Sequence, residues 1–229
     1  MFLTNDNKIK WKKLLVATVV TALLVFAGIF YFDKSVYLFF RKFNCGLWEW
    51  FDAIFSAKVW IFSAFVAALV FCVKKYDKSG VNIKNERNRF SLKVLLQDCF
   101  NKTRGSYAVL IFASVLSAGI VVKLLKIFIG RARPVFFEAL DITGFYPPSL
   151  DWAFNSMPSG HTAVSFAGLV MIGMLAPRYK VLTWTVAILV GLSRIAIGAH
   201  WPSDVIFGAF IGMVVADIVK AILLSRREN

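Results

Sequence analysis

The residues from Ser193 to Asp204 combine a Ser-Arg pair, one of the two histidines of the chain and, four residues after it, an aspartate. Long apolar runs flank this polar cluster on both sides, and polar groups in such surroundings are candidates for function. Because Pro202 suits the first turn of a helix and restricts the residue before it, we expect His200 just outside a helix. Asp204 would then lie in the first turn, where it can fix the imidazole tautomer. The alternative is a helix start capped by Ser203 and Asp204, with the histidine nearby by chance.

The composition is that of a membrane protein. The 229 residues are 59% hydrophobic and 16% aromatic, and the apolar residues form runs near the roughly 20 residues that cross a bilayer. A net charge of +14 would suggest nucleic acid as a partner of a soluble protein, but here the basic residues lie mostly between the apolar runs. That distribution favours a lipid bilayer as the partner and argues against nucleic acid. The three cysteines form no CxxC motif and are expected to be packing residues.

The apolar runs predict an all-α bundle of six transmembrane helices with additional interfacial helices. The predicted spans are 14–32, 52–73, 106–129, 159–175, 181–197 and 202–224. The aromatic segment 36–55 is expected at the bilayer interface, which Trp and Tyr prefer. The basic stretch 74–105 fits either a surface helix on the inner leaflet or an ordinary loop with a small helix. We expect one domain over 1–229, with its motif-bearing core at about 106–224.

The distribution of basic residues predicts the orientation in the membrane. Most of the 27 Lys and Arg residues lie at the N-terminus, in 74–105, in the turn at 177–180 and in the C-terminal tail. The positive-inside rule therefore makes both termini cytoplasmic. The polar clusters at 123–134, 157–161 and 194–204 then all face outward at the same depth.

The first of these clusters contains two cations that favour an anion as ligand. Lys126 and Arg133 are seven residues apart, nearly two helical turns, so both could point along one helix face. The alternative for each residue is a long side chain at a helix end that extends its charged group to the membrane surface, an arrangement that is common. Lys123 is assigned to that alternative.

The second cluster is Pro158-Ser159-Gly160-His161. A helix N-terminus at this position offers backbone N–H groups and the positive end of the helix dipole, and glycine lets a phosphate approach closely. His161 in the first turn would face the same anion. Ser159 as a simple N-cap is the alternative, but both histidines of the chain on one rim favour the anion site.

The three clusters read Lys126-x6-Arg133-Pro134, Pro158-Ser159-Gly160-His161 and Ser193-Arg194-x5-His200-x3-Asp204. This arrangement resembles the type 2 phosphatidic acid phosphatase superfamily, and the motif residues match in order and in spacing. The six-span layout is similar to the membrane branch of that family. Residues 1–105 carry no matching motif.

The resemblance implies that His200 is the nucleophile, which becomes a phosphohistidine, and that Asp204 orients it. His161 is similar to the general acid, which protonates the leaving oxygen and later activates water. The other matched residues are implied to hold the phosphoryl oxygens: Lys126, Arg133, Ser159, Gly160 and Arg194. No metal and no cofactor is implied, because cationic side chains and a helix N-terminus can stabilise the transferred phosphoryl group.

The resemblance implies an integral lipid phosphatase of the bacterial inner membrane, with its site facing the periplasm or the exterior. Undecaprenyl diphosphate, phosphatidylglycerophosphate, phosphatidic acid and lipid A phosphates all remain as substrates. Transfer of phosphate between lipids would use the same motifs. An anion or lipid transporter and a lipid-binding scaffold with a dead site are alternatives of other classes, and the sequence does not indicate an oligomeric state.

Overall fold

The computed structural model describes residues 1–4, 6–77 and 105–225. Within these ranges the regular structure is helical, with two isolated β-bridges and no strand, so the prediction of an all-α fold is confirmed. The helices are α1 (Trp11–Ala27), α2 (Asp33–Arg41), α3 (Gly46–Ile54), α4 (Ala57–Asp77), α5 (Tyr107–Ile129), α6 (Pro134–Leu140), α7 (Gly160–Leu175), α8 (Lys180–Ala196) and α9 (Pro202–Ser225). Short 3₁₀ turns at Trp152–Phe154 and Pro177–Tyr179 precede α7 and α8.

Five helical segments of the described chain are long and apolar enough to cross a membrane, and they make this a membrane protein. They are Trp11–Arg41, Gly46–Lys74, Tyr107–Ile129, Pro177–Ala196 and Pro202–Leu224. The predicted span 159–175 coincides with α7, which has only 16 residues, whereas a crossing usually takes about 20. The count of six spans and the cytoplasmic termini therefore stay predictions.

The N-terminal helices differ from the predicted boundaries. A π-helical turn, Gly28–Phe32, joins α1 to α2, so the first helix runs on to Arg41 instead of ending at residue 32. The predicted interfacial segment 36–55 is thus divided between the end of this first segment and α3, which begins the second membrane-length segment, Gly46–Lys74. Most of the basic stretch 74–105, where a surface helix was one prediction, lies outside the described residues.

Helix α7 is the centre of the bundle. Most of its residues are buried, and it packs against α5, α8 and α9. A helix that is apolar on all sides must be surrounded in this way. The largest core cluster joins these four helices: Leu110, Phe166, Leu169, Val170, Met171, Ala187, Ala216 and Val219.

Helices α1 and α4 lie at the periphery of the bundle. α1 packs against α9, and α4 packs mainly against α5. Both helices expose large apolar side chains, among them Leu23, Phe26, Phe62 and Leu69. Such surfaces suit contact with lipid acyl chains, because nothing polar has to be desolvated there.

The N-termini of α7 and α9 meet at one end of the bundle. The backbone N–H of Ser159 donates to the carbonyl oxygen of Asp204 over 2.9 Å. Gly208 of α9 permits this approach, since a Cβ atom there would lie 2.6 Å from the carbonyl oxygen of Ser159. The close crossing therefore fixes the second and third sequence clusters beside each other.

Substitution of Gly208 by alanine should disturb this crossing. The new methyl group overpacks the α7–α9 contact, and we expect a loss of stability of about 1–3 kcal/mol. Thermal unfolding in detergent measures the loss. Gly46→Ala is the matched control, because a Cβ atom at Gly46 meets nothing within 4 Å. Equal unfolding temperatures for Gly208→Ala and the wild type would contradict the close approach.

Candidate active site

The candidate site lies where α5 and α8 end and where α7 and α9 begin. The segment between α5 and α7 closes over this end of the bundle: the N–H of Ser156 donates to the carbonyl oxygen of Arg131 over 2.9 Å. The N–H of His200 donates to the carbonyl oxygen of Arg194 over 3.2 Å. The three polar clusters of the sequence are thus brought to one place, as predicted.

His200 lies in the turn between α8 and α9, and only 2% of its surface is exposed. Its Nδ1 atom is 3.7 Å from Oδ2 of Asp204 and 3.5 Å from Oγ of Ser156. The same Oδ2 atom accepts hydrogen bonds from Ser156 Oγ over 2.5 Å and from the N–H of Trp201 over 2.9 Å. The predicted placement is confirmed: His200 precedes the helix and Asp204 is in its first turn. A carboxylate facing Nδ1 favours the tautomer that leaves the lone pair on Nε2.

Burial lowers the pKa of His200 well below its ordinary value of 6.5. The carboxylate of Asp204 opposes this effect, while the positive charges of Lys126, Arg133 and Arg194 lower the pKa further. His200 is consequently a neutral imidazole at neutral pH. A neutral imidazole with a free lone pair is a nucleophile.

A buried ion network supports Asp204 from behind, and the sequence motifs did not reveal it. Arg131 donates through Nη1 to Asp204 Oδ1 over 2.6 Å and through Nη2 to Asp33 Oδ2 over 2.7 Å. Asp33 in turn accepts from the N–H of Ser203 over 2.9 Å and from its Oγ over 2.5 Å. All four residues are buried. This network ties the first long helix to the start of α9.

The route by which Lys126 and Arg133 come together differs from the prediction. Helix α5 ends at Ile129 because Gly130 is left-handed, with φ of 59°, and a Cβ atom there would lie 2.5 Å from the Tyr146 carbonyl oxygen. Arg133 is therefore in extended backbone before α6, and the prediction of one shared helix face is wrong.

The two cations nevertheless meet at one backbone carbonyl. Lys126 Nζ and Arg133 Nη2 both donate to the carbonyl oxygen of Asn155, the latter over 3.2 Å. Arg133 Nη1 also donates to the carbonyl oxygen of Ala199, the neighbour of His200, over 3.0 Å. Burial lowers the pKa of Arg133 to about 10, with the charge of Arg194 acting in the same direction, so the guanidinium stays charged at neutral pH.

Ser159 occupies the N-cap position of α7, and Gly160 is the first helical residue. The Ser159 side chain caps no backbone N–H; its Oγ accepts a hydrogen bond from Thr162 Oγ1 over 2.9 Å. The first N–H groups of a helix have no partner within the helix and attract anions. His161, in the first turn as predicted, is the most exposed of the predicted catalytic side chains.

Arg194 and His161 share a carboxylate that no sequence motif indicated. Arg194 lies in the last turn of α8, and its Nη1 donates to Oδ1 of Asp52, a residue of α3. The same Oδ1 atom is 4.0 Å from Nε2 of His161. Nε of Arg194 is buried and has no hydrogen-bond partner among the described residues.

The geometry defines a helical membrane protein with a buried imidazole and a group of cations at one end of its bundle. Residues 107–228 match the family model described as the PAP2 superfamily, and the chain belongs to this superfamily. The resemblance inferred from the three motifs is confirmed.

Two curated relatives and one crystal structure illustrate the similarity. The lipid A 1-phosphatase of Rhizobium etli is 42% identical over 102 residues, which is 44% of either chain. The undecaprenyl-diphosphatase of Sulfolobus acidocaldarius is 30% identical over 115 residues, 49% of this chain and 53% of that protein. The chain thus spans about half the length of these relatives. The PAP2-type phosphatidylglycerolphosphate phosphatase from Bacillus subtilis has the same fold, with a TM-score of 0.51 at 19% identity, over 92% of this chain and 95% of that one.

Replacement of Arg131 by methionine should destabilise the protein strongly. It leaves the carboxylates of Asp33 and Asp204 buried without their counter-ion, which costs about 3–5 kcal/mol in such networks. The measurement is thermal unfolding in detergent. The matched control is Arg41→Met, because Arg41 pairs with Glu138 over 3.1 Å with both side chains about one-third exposed. We expect about 0–1 kcal/mol for that pair, and equal losses in the two variants would contradict the role of Arg131.

Proposed function

We propose that the protein is a lipid phosphatase, which hydrolyses a phosphate monoester or diphosphate of a membrane lipid through a phosphohistidine at His200. The observation that carries the proposal is the buried His200 imidazole, whose Nδ1 atom faces Asp204 Oδ2 at 3.7 Å and which lies within the electrostatic influence of Lys126, Arg133 and Arg194. Phosphoryl transfer requires positioning and stabilisation of negative charge, and this arrangement supplies both.

In the first step, Lys126, Arg133 and Arg194 bind the phosphoryl oxygens together with the hydroxyl group of Ser159 and the backbone N–H of Gly160. Nε2 of His200 attacks phosphorus, a P–N bond forms, and the bond from phosphorus to the leaving oxygen breaks. Asp204 stabilises the positive charge that develops on the imidazole. Arg131, which Asp33 holds in place, keeps Asp204 charged and fixed in this position.

His161 completes the reaction as general acid and general base. It gives its proton to the leaving oxygen as the lipid product forms. It then takes a proton from a water molecule, whose oxygen attacks the phosphohistidine, so that inorganic phosphate leaves and His200 is regenerated. The positive charges come from side chains, and the proposal therefore requires no metal ion.

A largely apolar groove beside the phosphate site supports a lipid as the substrate. It has a volume of about 340 Å³, lies between α4, α5 and α7, and is lined mostly by apolar side chains. Lys126 and Gly160 of the phosphate site also line it. An acyl or prenyl chain in this groove would therefore carry its phosphate next to the cations.

We favour lipid A phosphate, undecaprenyl diphosphate and phosphatidylglycerophosphate as substrates. The names of the similar proteins support this choice, and lipid A 1-phosphatases are among those relatives. We further propose that the protein lies in a bacterial inner membrane with six spans, cytoplasmic termini and a site that faces the periplasm. The distribution of Lys and Arg supports this orientation.

The test is release of phosphate from these three lipids and phosphatidic acid by purified protein in detergent with EDTA. We expect release by the wild type, and a loss of about 10⁴-fold or more in His200→Ala, because the nucleophile and its acid act as a unit. Circular dichroism and thermal unfolding verify that the variant is folded. Normal turnover by folded His200→Ala would contradict the mechanism, and transfer of labelled phosphate to another lipid would identify a phosphotransferase.

A matched pair of lysines on α5 tests the phosphate site itself. Lys126→Met should lower kcat/KM by about 10²-fold or more, as removal of a group that stabilises transferred charge does. Lys123→Met removes the same charge one helical turn earlier, from an exposed position that borders the apolar groove, so KM can change while kcat should stay at the wild-type value. Equal losses of kcat in the two variants would overturn the assignment of Lys126.

A further inference from the structure

Asp52 reaches the active site from a part of the chain that carries no motif. It belongs to α3, a nine-residue helix that packs against α8, and its side chain is 21% exposed. One oxygen atom, Oδ1, accepts from Arg194 Nη1 and lies 4.0 Å from Nε2 of His161. A carboxylate thus contacts a cation that the proposed function assigns to the phosphoryl group.

The contact between Asp52 and Arg194 cannot coexist unchanged with a bound phosphoryl group. Two anions that compete for one guanidinium repel each other, and desolvation strengthens the repulsion. Arg194 still has capacity for a ligand, since its Nε is buried without a partner among the described residues. Arrival of a phosphoryl group at Arg194 would therefore release the Asp52 oxygen.

His161 is the group that can use the released carboxylate. Three cations face it: Lys126 from α5, Arg133 before α6 and Arg194 from α8. Burial of His161 disfavours the protonated imidazole that a general acid requires, and each of these cations acts in the same direction. Asp52, from α3, is the carboxylate that acts on His161 in the opposite direction.

We propose that Asp52 is a positioning residue that exchanges Arg194 for His161 when the substrate phosphate binds. In the resting enzyme the carboxylate neutralises Arg194. In the complex the phosphoryl group holds Arg194, and Asp52 pairs with His161, which takes up a proton from solvent and keeps it as an imidazolium until it gives this proton to the leaving oxygen. The proposal rests on the proposed phosphatase function.

The exchange predicts a distinct kinetic signature for Asp52→Asn. We expect kcat to fall by about 10–100-fold, because the acid that protonates the leaving oxygen is lost in part, without a rise in KM. The alkaline limb of the kcat profile should move to lower pH, since His161 loses its proton more readily. Asp52→Glu should restore part of kcat. Glu49→Gln, which removes a charge from an exposed position of the same helix, should behave as wild type.

Binding of orthovanadate, measured by isothermal titration calorimetry, provides a second readout that needs no turnover. Orthovanadate is a phosphate analogue, and Asp52→Asn should bind it several-fold more tightly than the wild type because the competing carboxylate is gone. Unchanged or weaker binding in folded Asp52→Asn would overturn the exchange.

The outcomes separate this proposal from the proposed function. If the wild type releases no phosphate from any lipid, the phosphatase function fails and the exchange fails with it. If the wild type is active while Asp52→Asn retains the wild-type kcat and pH profile, or differs from the wild type only by a higher KM, the exchange alone is wrong. Thermal unfolding of each variant separates these effects from misfolding.

Discussion

The pairing of Arg131 with two buried carboxylates is the interaction on which the rest of the site depends. Asp33, at the end of the π-helical turn, and Asp204, at the start of α9, are both almost fully buried. A buried carboxylate persists as an anion only with a counter-ion or several donors, and Arg131 supplies both through its two terminal nitrogens. This network holds Asp204 against His200, and it attaches the N-terminal helix to the motif-bearing core.

The ends of four helices bring the other residues of the site together. α7 and α9 begin, and α5 and α8 end, at the same end of the bundle, so three clusters distant in sequence lie together. The N-termini contribute partial positive charge, which adds to Lys126, Arg133 and Arg194. The positive charges of the site are therefore preorganised before an anion binds. This preorganisation reduces the reorganisation of solvent during the reaction.

The sequence predicted the features that have a local pattern. Apolar runs located α5, α7, α8 and α9 within one or two residues, whereas the short helix α6 falls in a segment that was expected to be a loop. The spacing of the motifs correctly placed the three clusters at one end of the bundle. Periodicity failed for Lys126 and Arg133, because the left-handed Gly130 ends the helix between them. Asp33 and Asp52 could not be found in this way, since their partners lie far along the chain and only the packing of α2 and α3 against α8 and α9 brings them near.

The most direct test of the mechanism is detection of the covalent intermediate during turnover. The wild type would be mixed with a lipid phosphate carrying a labelled phosphoryl group and quenched in alkaline denaturant, because phosphohistidine is labile in acid. Mass spectrometry of the peptide containing His200 then locates the phosphoryl group. We predict a phosphohistidine at His200 that appears and decays with turnover. Phosphate release without any such intermediate, or with the phosphoryl group on His161, would contradict the account.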